Sequence, residues 1–228
     1  MARKPQTKAA CTYCSRVLAK AGMTKHLATC AKRKEAIAAA AAATKAKKQT
    51  IYHLRIQDAY DSSFWLDVEA ADSTPLKELD YYLRAIWLEC CGHLSDFFVD
   101  GAFGRKVAMT KPLKQLFLST DEVTHVYDFG TSSETIVKLV DERSGQPTTK
   151  HAIALMARNE MPKMNCIECD QPATHLCQEC IYEDGVWGVL CDEHAADHPH
   201  EEYGEPMPLF NSPRMGMCGY DGPAEPPY

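Results

Sequence analysis

The feature that most restricts how this chain can fold is a run of cysteine and histidine near its C-terminus. Cys166 and Cys169, Cys177 and Cys180, and Cys191 and His194 form three knuckles, and His198 and His200 follow. Thiolate and imidazole are the donors zinc prefers, and a tetrahedral ion takes four, so these eight residues suffice for two ions. A segment this rich in ligands is expected to fold around metal and to unfold without it. With every position filled by protein, no slot is left for water, which describes a structural site and not a catalytic one.

The order of the knuckles resembles B-box-type cross-braced zinc modules. That resemblance, over residues 163–203, implies that Cys166, Cys169, Cys191 and His194 hold one ion. It gives the other to Cys177, Cys180, His198 and His200, with His175 a substitute ligand if His198 or His200 faces solvent. From residue 166 onward there are 13 Asp/Glu against one base, Arg214. Such a surface avoids nucleic acid and favours a protein partner, above all a basic one. Residues 204–228 are rich in Pro and Gly and are expected to be extended or disordered, with Cys218 a free thiol.

A second ligand set lies at the other end. Cys11, Cys14, His26 and Cys30, with Leu18 and Met23 between them, resemble a CCHC variant of the ββα finger over residues 1–34, one residue shorter between the ligand pairs. Zinc binding is expected there too, which makes about three structural Zn2+ per chain. The family reads bases from helix positions −1, 3 and 6, which fall on Ala19, Gly22 and Lys25. Two of these have no polar reach, so sequence-specific readout is not expected. Arg3, Lys4, Lys8, Arg16, Lys20, Lys25, Lys32, Arg33 and Lys34 can neutralise phosphates without sequence preference, or merely solvate the module.

Charge divides the chain in the same way. Residues 1–50 hold 12 Lys/Arg and one acid, Glu35, whereas the remainder holds 13 bases and 30 acids. A basic arm suits phosphate and an acidic body repels it. Eight of the 11 cysteines belong to the two ligand sets above, which reads as zinc in a reducing cytoplasm. The N-terminus lacks an apolar core of signal-peptide length, and the longest apolar run, Ala36–Ala43, is far short of a membrane span. Residues 35–49 read as an Ala/Lys-rich helical spacer.

Between the zinc modules, residues 50–162 alternate as strands and helices. Ile51–Gln57 and Phe64–Ala70 read as strands, with Phe64, Leu66 and Val68 on one face. Thr74 as N-cap and Pro75 at the first helical position open an amphipathic helix carrying Leu76, Leu79, Leu83, Ile86 and Cys90, and Gly92 can close it. Strands are expected at Ser95–Val99 and Thr124–Phe129, and a short helix at Pro112–Phe117. Glu134–Glu142 and Thr149–Ala157 look like a long hairpin about Ser144-Gly145. The class is α+β with a mainly antiparallel sheet.

The runs FWLDVEA, TPLKELDYYLRAIWLECCGHLSDFFVDG and HVYDFG resemble the plasmid pRiA4b ORF-3-like family, which is found in mobile elements and bacterial genomes. That resemblance implies an architecture and supplies no reaction. The family's Pro-Pro-x-x-Trp-Arg-Arg run is reduced here to Trp65, and its Asp and Trp after YDFG are replaced by Thr131-Ser132-Ser133. His93, Asp96, Asp100, His125 and Asp128 are the available acid/base groups, but none has metal-ligand spacing such as HExxH. His93 is expected to cap helix carbonyls, Asp128 to satisfy turn amides before Gly130, and Cys90-Cys91 to be buried as small hydrophobes. The expectation is a non-enzymatic adaptor that binds protein, with nucleic acid through residues 1–49 as the alternative and neither membrane nor small-molecule substrate.

Overall fold

The computed structural model describes residues 7–200 and 202–228, so Arg3 and Lys4 lie outside the described residues. Its elements follow the chain as β1 (Lys8–Cys11), β2 (Val17–Ala19), α1 (Lys20–Thr29), α2 (Ala31–Ala42), β3 (Gln49–Asp58) and β4 (Trp65–Ala71). Next come α3 (Leu76–Leu83), a π-helical turn (Arg84–Leu88), β5 (Ser95–Val99), β6 (Arg105–Val107), α4 (Leu113–Leu116), β7 (Glu122–Tyr127), β8 (Ser133–Gly145) and β9 (Ile153–Asn159). The last are β10 (His175–Cys177), α5 (Gln178–Tyr182), β11 (Gly188–Leu190), α6 (Asp192–Ala196) and β12 (Met207–Pro208). The fold is α+β, built on a nine-stranded sheet in the order β2-β1-β9-β4-β3-β8-β7-β5-β6 with every pairing antiparallel.

Side chains alternate across a strand, so β4 serves two cores. Leu66 and Val68 join Leu54, Ile56, Leu79, Leu83 and Ile86 beneath α3. Trp65 points the other way and joins Met156, Ala157, Met23, Leu27 and Cys11 beneath the finger. The finger is therefore an extension of the sheet, with Ala9 paired to Asn159 and Cys11 to Ala157. Trp65 is fully buried and donates from Nε1 to Thr7 Oγ1 at 2.9 Å. Trp65→Ala should cost about 3–5 kcal/mol, because the transfer and cavity terms add. The drop in urea midpoint measures it, and an unchanged midpoint would refute this docking.

The polar residues of that same face are buried as ion pairs. Asp67 accepts from Arg55 at 2.8 and 2.9 Å and lies 2.7 Å from His53 Nε2. Glu69 is held by Arg143 and by Arg33, which reaches down from α2. Burial opposes ionisation of Glu69, but the two guanidinium groups outweigh it and hold its carboxyl below the usual range.

Four expectations are corrected. Leu76, Leu79, Leu83 and Ile86 of the helix stripe are buried as expected, but the helix ends at Leu88 and leaves Cys90 beyond it and only partly buried. Pro75 is the extended N-cap, and Thr74 makes no side-chain cap. Instead the Thr74 carbonyl accepts from Leu113 N at 2.9 Å, and Pro75 bridges Pro112. The run PLKEL thus meets its near copy PLKQL, each proline capping a helix. Secondly, the Ser144-Gly145 hairpin does not form. β8 pairs with β3 and β7, and β9 pairs with β4 and β1, so the β3–β4 hairpin lies between them. Thirdly, the spacer begins inside the finger, because α2 starts at Ala31 and buries Arg33. Finally, the Pro/Gly tail is folded onto the body, with Ser212, Arg214, Met215 and Tyr220 buried. Arg214, the one base in an acidic segment, anchors it by pairing with Asp128 at 2.6 Å.

Candidate metal centres

The finger's ligands come from two turns. Cys11 and Cys14 flank a tight knuckle in which Ser15 N donates to the Cys11 carbonyl at 2.8 Å. α1 then brings His26 and Cys30 to the same side, and Cys14 Sγ lies 3.2 Å from His26 Nε2. All four donor atoms lie within 4.8 Å of one another.

The C-terminal residues sort into two interleaved groups. Cys166, Cys169, Cys191 and His194 form one, with Cys169 Sγ 3.9 Å from Cys191 Sγ and 3.5 Å from His194 Nδ1. Cys177, Cys180, His198 and His200 form the other, with Cys180 Sγ 3.3 Å from both histidines and the histidine nitrogens 3.2 Å apart. A tetrahedral zinc with ordinary bond lengths has edges of about 3.8 Å between sulfurs, ~3.5 Å between sulfur and nitrogen and ~3.4 Å between nitrogens. The donors fit that ion. His175 belongs to neither group and lies 3.0 Å from Thr174 Oγ1.

The buried thiols of the two C-terminal groups are shifted in opposite directions. Burial works against ionisation of Cys166, but the amides of Cys191, Glu168 and Cys169 outweigh it and bring its thiol down to about 6. Burial and the neighbouring Cys177 push the Cys180 thiol up to about 12. Two adjacent buried thiols ionise together only with positive charge between them.

A fourth group was not read from the sequence. Cys90, Cys91, His93 and Cys218 bring their donors within the same 4.8 Å. Cys91 is exposed rather than buried, Cys218 is not isolated, and the His93 ring faces these thiols instead of helix carbonyls. The first three stand together in the run CCGH, a signal available in sequence. Cys218 carries none, because it reaches them only when the tail folds back. All 11 cysteines are free of disulfides, and each of the four clusters can hold a metal ion.

The remaining candidates separate clearly. Asp128 accepts from the amides of Gly130 and Thr131 at 2.9 and 3.2 Å, as expected of a turn residue. His125 is buried against Asp80 at 2.7 Å, Asp96 pairs with Lys106, and Asp100 lies 3.8 Å from Arg105. Of the basic set, Arg33 is consumed by Glu69, and Lys20 donates to Gln57 Oε1 and the Ser62 carbonyl at 3.1 and 3.2 Å. Lys32 pairs with Glu35 at the surface. Lys8, Arg16, Lys25 and Lys34 are exposed. α1 begins at Lys20, as the finger's position numbering requires, but Arg55 donates to the Lys20 carbonyl and to Thr24 Oγ1, which ties this helix to the sheet.

No protein-family model and no curated protein matches the chain. Among solved structures, a protein of unknown function from Methanosarcina mazei Go1, MM3350, is similar at 19% identity and a TM-score of 0.40. The likeness covers 50% of this chain and 70% of that one, and carries no functional argument. No helix among the described residues is long and apolar enough to cross a membrane.

Proposed function

We propose that the chain is a cytoplasmic, zinc-stabilised binding protein without catalytic activity, whose acidic C-terminal module receives a basic protein segment. The metal in the three clusters expected from the sequence is Zn2+, held by four protein donors in each. The observation that carries the reading is the exposed, stacked pair Tyr182 and Tyr203 beside Glu183 on that acidic module. Tyr182, Val186, Trp187 and Tyr203 are each 45–47% exposed there. Tyr182 and Tyr203 stack with centroids 5.6 Å apart, and Tyr203 donates to Glu183 at 2.6 Å. Aromatic faces beside carboxylates suit arginine and lysine, through cation–π contact and charge complementarity together. The body adds an apolar patch in which Phe103 and Phe129 stand 6.1 Å apart.

Pull-down with the full chain as bait tests this. Proteins recovered by the wild type should be lost with Glu183→Lys/Trp187→Ala and weakened by high salt. Recovery unchanged by the substitutions sinks the assignment.

Exposed Lys8, Arg16, Lys25 and Lys34 favour a second reading, a nucleic-acid-binding regulator associated with mobile elements and led by the N-terminal finger. Four phosphate contacts give an affinity for duplex DNA that falls steeply with salt, with a log–log slope of about −4 or shallower. Fluorescence anisotropy at low ionic strength reads it, and a flat titration rules it out.

A further inference from the structure

We propose that Cys90, Cys91, His93 and Cys218 bind a fourth zinc ion, which staples the C-terminal tail to the central domain. The donors converge from two places far apart in sequence. Cys90 and Cys91 leave the end of the π-helical turn, and Gly92, at φ +78°, reverses the chain so that His93 returns towards them. Cys218 arrives from the tail, 125 residues beyond His93. Cys91 Sγ lies 3.7 Å from Cys90 Sγ and 3.8 Å from Cys218 Sγ. His93 Nε2 lies 2.9 Å from Cys91 Sγ and 3.2 Å from Cys218 Sγ. The sulfur separations match the edges of a zinc tetrahedron, about 3.8 Å. They are far from the ~2.0 Å of a disulfide, so oxidation does not explain them.

Hydrogen bonds also hold the site from both sides. Glu89 Oε1 accepts from Gly92 N at 2.7 Å and fixes the turn that carries Cys91 and His93. On the tail, Ser212 donates to the Trp87 carbonyl, buried Arg214 pairs with Asp128, and Tyr182 Oη accepts from Cys218 N at 3.1 Å. Asp128 Oδ2 lies 3.4 Å from His93 Nε2, too far to hold that nitrogen firmly, and is committed to Arg214 at 2.6 Å. The imidazole is therefore left to the thiols. Three cysteines and one histidine form a soft, closed donor set of the type that selects zinc.

This ion differs from the other three in access. Cys91 and Cys218 are exposed, whereas no ligand of the other clusters is. A chelator should therefore strip the fourth site first.

The test is metal analysis of the purified full chain. Wild type should hold four zincs, and Cys218→Ser and Cys91→Ser three each; both positions are exposed, so the fold should survive. A chromophoric chelator should remove one equivalent quickly and three slowly, and iodoacetamide should label Cys218 only after the fast phase. Three zincs in wild type, unchanged by either substitution, overturns the fourth site and leaves the other three intact. Four zincs retained by both variants overturns it as well. This inference stands apart from the partner reading, since loss of partner binding would leave the metal count unaltered.

Discussion

Cys180→Ser should abolish the fold of the C-terminal module. The elements there cannot stand alone. α5 and α6 are five residues each, and β10, β11 and β12 are two or three residues long. Helices of that length are marginal in water, and a nucleus without tertiary support does not propagate. The ligand cysteines themselves form one small core with Leu190, and Leu176, Val189 and Met215 form the other. Structural zinc in such modules contributes on the order of 10 kcal/mol or more, which is most of the stability available. Substitution should lower the zinc content and open residues 163–203 to proteolysis, and it should loosen the tail through β12 and Met215. A variant that keeps its full zinc content and its protease resistance would show that metal does not hold this module.

Arg214→Met should have the next largest effect. The side chain is fully buried, and its loss leaves Asp128, itself only 7% exposed, without its principal counter-charge. Breaking a buried pair from one side costs about 3–5 kcal/mol, because the remaining charge stays desolvated. pH gives an independent signature. Burial opposes ionisation of Asp128, but Arg214 and the amides of Gly130 and Thr131 outweigh it and hold the carboxyl below its ordinary value. A depressed carboxyl stabilises the fold fully above its unfolded value, about 3.9, and that contribution fades as pH falls through the folded value. The variant lacks it, so its stability should fall less steeply than wild type with acid in that window. Urea midpoints at neutral and acid pH read both effects. A midpoint unchanged at neutral pH would mean that the buried pair contributes nothing.

Local pattern carried much of the architecture into view. Alternation placed β3, β4, β5 and β7 close to their observed positions, and the leucine stripe marked α3, because period and burial are properties of one segment. The ligand spacings of the knuckles were visible for the same reason. Long-range pairing was not. Ser144-Gly145 carries a turn signal but ends a strand whose partners lie elsewhere, and no local feature tells a hairpin from a crossover. The finger's small residues at Ala19 and Gly22 disfavoured base reading, but nothing local revealed that Trp65 and Glu69 would receive it. The tail was the least legible segment. Proline and glycine describe its backbone, whereas its docking depends on Arg214, Met215 and Tyr220 meeting surfaces far away in sequence.

Those docked surfaces recast the molecule. The basic arm is joined to the sheet through β1 and Arg33, and the acidic end is tied back through Arg214 and Cys218. One of the four Cys/His clusters, Cys90, Cys91, His93 and Cys218, stands at such a junction, and each cluster offers four protein donors to an ion. On this reading each ion is held in closed tetrahedral coordination. Reconstitution of the full chain with Co2+ tests it most directly. Four-coordinate sites filled by Cys and His should give intense tetrahedral d–d bands with thiolate charge-transfer absorption. Adding azide in modest excess should leave the spectrum unchanged, because no position is free. Weak five- or six-coordinate bands, or bands that shift on adding the anion, would reveal an open position and contradict a purely structural role for the metal.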